Sequence, residues 1–173
     1  LFYGMGKGKL SSELGLSPGQ AEDLFEKYHS RVPFVKEMIE RTMKKAADVG
    51  HVRTLLGRKC RFDLWEPSRY GVHRPLPRDE AEREHGKQIR RAFTYKALNK
   101  IIQGSAADMT KQAMADLHDE GITPHIQVHD ELDCSFEDEV EKDKILEIMR
   151  NAVKLEVPVK LDVEEGPSWG QAR

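Results

Sequence analysis

Helical spacing dominates the first fifty residues. Residues 7–15 predict a short helix that ends near Gly15. Ser17 is placed to cap a second helix, Pro18 suits its first position, and Gln20 completes a capping box. That helix runs through Phe25 and Tyr28 toward Arg31, and Pro33 opens a third. Phe34, Val35, Met38, Ile39 and Met43 recur at helical spacing until Gly50. The period then changes. Val52 to Phe62 predicts a hairpin around Gly57. Residues 63–78, with Pro67, Gly71, Pro75 and Pro77, predict a loop. Asp79 to about Asn99 is polar and strongly helical in character. Ile101 to about Glu120 is a further helix, with Ile101, Ile102, Ala106, Met109, Ala113, Met114 and Leu117 as its apolar positions. Pro124–Val128 and Leu132–Phe136 predict two strands joined by His129-Asp130-Glu131. Residues 137–153 form an amphipathic helix, and Val157–Val163 alternates as an outer strand would. This order of elements predicts an α+β fold rather than an alternating α/β one.

Composition narrows the class. The chain has 173 residues, 34% of them charged and 38% apolar, enough for about one domain with a heavily charged surface. No apolar run approaches a membrane span, and no leader with a small-residue cleavage site opens the sequence. Cys60 and Cys134 form no CxxC pair, so reduced thiols in a cytoplasmic protein are expected. The net charge of −2 conceals an asymmetry. Residues 1–112 carry 22 Lys and Arg against 14 Asp and Glu; residues 113–173 carry 6 against 16. A basic stretch followed by an acidic one suggests a polyanion partner for the first and a cation for the second, or simply solvated faces. The opening Leu1-Phe2-Tyr3-Gly4-Met5-Gly6 has no initiator Met and reads as the interior of a longer protein.

Four runs carry candidate chemistry. Gln127-Val128-His129-Asp130-Glu131 sets two carboxylates in a tight turn. Mg²⁺ prefers such oxygen ligands and takes one or two carboxylates plus substrate phosphates, although acids are also ordinary turn residues. A two-metal site needs more carboxylate than this turn offers. Asn99 and Gln103 share a helix face, and two amides there suit minor-groove acceptors. Gly104 and the small residues after it admit another backbone; a packing seam with two exposed amides is the plainer alternative. Thr54 to Arg61 places Arg58, Lys59 and Arg61 at a turn, suited to phosphate contact or to an ordinary basic hairpin. Phe2-Tyr3-Gly4 sets an aromatic ring beside glycine, suited to stacking on a base or to a helix end. His125-x-x-x-His129 lacks a third zinc ligand.

Taken together and in this order, the runs resemble the carboxy-terminal part of family A DNA polymerases, the bacterial DNA polymerase I and bacteriophage group. Leu1–Met5 is similar to the end of the fingers helix, motif B. Thr54–Arg61 is similar to the TxxGR stretch, and Asn99–Asp108 to the N-x-x-x-Q-G-T-A-A-D helix. Gln127–Glu131 has the QVHDE sequence of motif C, and Val157-Pro158-Val159 with Trp169 resembles the closing strand and tail. The resemblance implies an antiparallel palm sheet bearing motif C, packed on long helices, with residues 1–50 belonging to the fingers and 51–173 to the palm. It implies a DNA-directed DNA polymerase using two Mg²⁺, primer–template DNA and deoxynucleoside triphosphates. Asp130 would be a catalytic metal ligand, with Glu131 assisting in the metal sphere. His129 would contact the primer terminus. Asn99 and Gln103 would touch the minor groove, Tyr3 would stack near the templating base with Gly4 allowing the turn, and Arg58 would contact the DNA backbone.

The motif A aspartate and the triphosphate-binding fingers residues of the family have no counterpart here. The resemblance therefore implies an amino-terminal polymerase portion carrying motif A as partner, and an inactive chain when alone. The long 63–78 stretch, and Tyr95 or Lys96 where bacterial members carry Arg, point to the phage-like branch. A primer–template-binding module without catalysis, or one subunit of a split polymerase, are the alternatives.

Overall fold

The computed structural model describes residues 6–69 and 71–172. Tyr3 and Gly4 lie outside the described residues. The chain divides into two compact units, Leu1–Gly104 and Ser105–Arg173.

In the first unit α1 (Lys7–Leu14) and α2 (Pro18–Arg31) pack with Leu10 and Ala21 buried. The expected capping box forms: Gln20 N–H donates to Ser17 Oγ, and Ser17 N–H donates to Gln20 Oε1. Helix α3 (Pro33–Val49) buries Val35 and Ala46. It ends at Gly50, whose φ of 78° favours glycine. A Cβ there would also meet the Arg91 guanidinium at 2.6 Å. The hairpin follows as expected: β1 (His51–Arg53) pairs antiparallel with β2 (Lys59–Arg61).

Residues 63–78 are not wholly a loop. They supply β3 (Leu64–Pro67) and β4 (Leu76–Pro77), and β5 (Ile89–Arg91) completes a sheet in the order β4-β3-β5. The polar stretch after Asp79 is helical only through α4 (Arg78–His85); a strand and a 3-10 turn over Thr94–Lys96 follow. The reason is non-local. Arg90 Nε donates to Glu66 at 3.0 Å, and Arg91 lies 4.6 Å from the Trp65 ring centre. These cross-strand partners override the strong local helical pattern read there. Pro77 is tolerated because β4 is an edge strand. The first unit's core gathers Ala46, Val52, Phe62 and Ala97, with Cys60 and Ile101 packed against it.

Helix α5 (Ala97–Asp119) is continuous through the division between the units. In the second unit β6 (Ile126–Val128) and β7 (Glu131–Asp133) pair antiparallel, and α6 (Glu139–Asn151) follows. Leu117, Ile122 and Ile145 form its core, joined by Leu132, Cys134, Ile148 and Met149. The outer strand expected over Val157–Val163 is absent: among the described residues this segment pairs with no strand. Alternation marks a segment able to form a strand, and a ladder still requires a hydrogen-bonding neighbour. Among the described residues no helix is long and apolar enough to cross a membrane.

Candidate nucleic-acid and metal-binding residues

Of the four runs that the sequence singled out, the Gln127–Glu131 turn lies in the second unit and the Thr54–Arg61 hairpin in the first, and each is built locally. In the second unit the ladder pairs Val128 with Glu131, leaving His129 and Asp130 as a two-residue turn. His129 takes φ 54°, a left-handed value uncommon for a side chain of this size. Gln127 Nε2 donates to the His129 carbonyl and closes the turn from beneath. His129, Asp130 and Glu131 are all exposed. Alternation then sorts the ladder. Leu132 and Cys134 go to the core, while Glu131 and Asp133 share the other face with Ile126 and Val128. Asp133 Oδ2 is shielded from solvent and accepts no hydrogen bond among the described residues.

The donor set consists of hard oxygens, with two adjacent exposed carboxylates at a tip and a third on the same strand. This suits a hard divalent ion that also takes oxygens from a substrate. Among the described residues no three His, Cys, Asp or Glu side chains come together closely enough to hold a metal by themselves. His125 does not join His129 as a metal pair; its Nε2 lies 3.0 Å from Ser135 Oγ.

In the first unit the hairpin crosses the start of α5. Thr54 N–H donates to the Arg58 carbonyl, Gly57 N–H to the Thr54 carbonyl, and Arg58 N–H to Thr54 Oγ1, each at 3.0 Å. This tight turn aims the Arg58 guanidinium at α5, where Nη2 donates to the Gly104 carbonyl at 2.8 Å. Lys100 Nζ returns a bond to the Arg61 carbonyl at 3.3 Å. The close neighbour that Gly104 admits is thus this hairpin: a Cβ at residue 104 would lie 2.8 Å from Thr54 Cγ2 and 3.4 Å from Arg58 Nη2.

Arg58 therefore sits against Gly104, a placement the sequence did not indicate, and at least one of its donors is committed to the fold. Asn99 and Gln103 are one i, i+4 step apart on α5. They are not equivalent. Gln103 is exposed, whereas Asn99 Oδ1 is shielded and accepts no hydrogen bond among the described residues.

Sequence reading grouped Arg58, Lys59 and Arg61 as one basic cluster. The pleat separates them. Val52 and Cys60 face the core, so His51, Arg53, Lys59 and Arg61 share the outward face, while Arg58 turns to α5. His51 and Arg53 were missed, although the period-two pattern His-Val-Arg opposite Lys-Cys-Arg carried the signal.

Comparison with known proteins gives one consistent result. Residues 1–171 match the profile of DNA polymerase family A. A DNA-directed DNA polymerase of Pseudomonas phage M6 is 38% identical over 89% of this chain, covering 20% of the phage protein. The thermostable DNA polymerase I of Thermus filiformis is 36% identical over the whole chain, again covering 20% of that protein. Among solved structures, the POL domain of Pol1 from M. smegmatis, in complex with DNA primer-template and dNTP, superposes with a TM-score of 0.72. It is 30% identical, with 97% of this chain and 28% of that one covered. The chain thus spans about a fifth of the length of the curated relatives it matches.

Proposed function

We propose, from the premise that this chain belongs to DNA polymerase family A, that it serves DNA-directed DNA synthesis by metal-assisted nucleotidyl transfer. The observation that carries the reading is the hairpin tip: a two-residue turn presents Asp130 to solvent, with Glu131 beside it at the start of β7. Asp130 would hold Mg²⁺ and Glu131 would assist. With such ions held there, the chemistry supplied would be a lowered pKa for the primer 3′-hydroxyl and neutralisation of the pyrophosphate leaving group. The work of this chain is to position. The left-handed His129 and the Gln127 clamp fix the turn, and Leu132 anchors its second strand to the core.

Two carboxylates at one tip do not make a complete two-metal cage. The remaining acid is assigned to a portion of the polymerase that carries motif A and is not part of this sequence. Residues 1–50 are assigned to the fingers and 51–173 to the palm. Primer–template DNA is assigned to Arg58, Asn99, Gln103 and His129, with Tyr3 and Gly4 at the templating base. The exposed amide of Gln103 supports the minor-groove contact, and the exposed Arg58, bonded to the Gly104 carbonyl, supports the contact to the DNA backbone. The phage-type reading rests on the long 63–78 stretch and on Tyr95 or Lys96 where bacterial members carry Arg, and a phage polymerase stands among the relatives. The place of action is the cytoplasm of a bacterial or phage-infected cell.

Primer extension by the full-length protein tests this reading. With all four deoxynucleotides, extension should require Mg²⁺, and Glu131→Gln should raise the Mg²⁺ concentration needed for half-maximal rate. Extension that persists in excess EDTA, or a Glu131→Gln profile that overlays wild type, would contradict it.

A further inference from the structure

We infer that the outward face of the β1–β2 hairpin holds the phosphate backbone of the single-stranded template overhang, a contact separate from the amide face of α5. The inference rests on the polymerase reading above.

The face is built from two cross-strand pairs, one of them like-charged. His51 stands opposite Arg61, and Arg53 opposite Lys59. Directly opposed side chains in an antiparallel pair lie about 5 Å apart, and like charges there repel. Along each strand the next cation on the same face is two residues on, about 7 Å away. Arg53, Lys59 and Arg61 are exposed, and among the described residues none of the four forms an ion pair. Arg53 donates to the Gly57 carbonyl and keeps its charge. A cavity of about 190 Å³ opens on this face, lined by His51, Lys59, Arg61 and Arg91, with Asp63 as its one acid. Arg53, Lys59 and Arg61, three exposed cations without an ion-pair partner among the described residues, match a pair of neighbouring phosphates in charge and in spacing.

The strand's nature follows from placement. The hairpin meets α5 along Ala97, Lys100, Ile101 and Gly104. At 100° per residue, Asn99 and Gln103 lie about 130° further round that helix. The basic face, in turn, is the side of the hairpin turned away from α5. Duplex DNA is stiff over about 150 base pairs, so a duplex on the amide face cannot also bend back onto the hairpin's far side. A single strand can.

The test uses the full-length protein and two primed DNA probes that differ only in template overhang, two or twelve nucleotides. Wild type should bind the long-overhang probe more tightly. Lys59→Gln with Arg61→Gln should remove that advantage, weakening the long probe about tenfold at low salt and lowering its salt slope by about 1.4, at about 0.7 per lost single-strand contact. The short probe should be unaffected. Lys59→Arg with Arg61→Lys should retain the wild-type slope. The thermal midpoint of the neutralised variant should not fall, since a repulsion has been relieved.

Equal weakening on both probes would assign the face to duplex and overturn the inference. Loss of polyglutamate binding with no effect on either DNA would assign it to an acidic protein, and would overturn it as well. If wild type binds neither probe and extends no primer, the polymerase reading itself fails. Normal extension with no effect of the variant defeats only this inference.

Discussion

The Arg58 guanidinium donates to the Gly104 carbonyl at 2.8 Å, and the approach is possible because residue 104 has no side chain. That bond and the missing methyl group join the Lys100–Arg61 hydrogen bond and the shared core in holding the basic hairpin against the helix that carries Gln103.

Gly104→Ala should destabilise the protein, although alanine is the better helix former by about 1 kcal/mol. The new methyl would meet Thr54 Cγ2 at 2.8 Å. Thr54 is buried and its Oγ1 is engaged by the Arg58 N–H, so it cannot simply rotate away. Overpacking of this kind costs about 1–3 kcal/mol. Thr54→Ser removes the obstructing methyl and keeps the hydroxyl, so the double variant should recover most of the loss. Urea denaturation of the four proteins of this cycle checks it, and strictly additive effects would contradict the contact.

Asp138→Ala should cost about 1 kcal/mol. Asp138 Oδ1 accepts from Glu141 N–H at 2.9 Å and caps α6, which brings Ile145 to the core beneath Leu132. Asp138→Asn keeps an acceptor and should stay close to wild type. Thermal melts distinguish the two, and equal losses would show that the cap is not the cause.

Stability should fall as pH rises above about 9. Burial, together with the nearby Asp133 carboxylate, pushes the Cys134 thiol above its ordinary value. A group whose folded pKa is raised binds its proton more tightly when folded, so stability is present below the ordinary thiol pKa and is lost as pH climbs past it. Urea midpoints of wild type should therefore drop more between pH 8 and pH 10 than those of Cys134→Ala. Parallel curves would rule out the thiol as the source.

What could be read in advance was whatever local chemistry dictates. The Ser17–Gln20 capping box, the Gly50 stop and the hairpin around Gly57 were legible because capping, left-handed backbone and alternation act within a few residues. The QVHDE turn was legible for the same reason, as two strands flanking two turn residues. The β4-β3-β5 sheet was not, because its determinants, Trp65 against Arg91 and Glu66 against Arg90, lie some 25 residues apart in sequence. Val157–Val163 failed in the opposite way, showing a strand's alternation without a partner strand among the described residues. In the basic hairpin the charges were evident and their directions were not. The core side of Val52 and Cys60 separates Lys59 and Arg61 from Arg58.

The central claim is that the exposed carboxylate at the β6–β7 turn serves the chemical step and not the grip on DNA. Asp130→Ala in the full-length protein, assayed for single-turnover primer extension and for primer–template affinity, tests it most directly. Extension should fall by at least about a thousandfold, about 4 kcal/mol of lost transition-state stabilisation, while the dissociation constant for DNA changes by no more than about twofold. Near-normal extension by that variant would contradict the assignment of Asp130 and the account built on it.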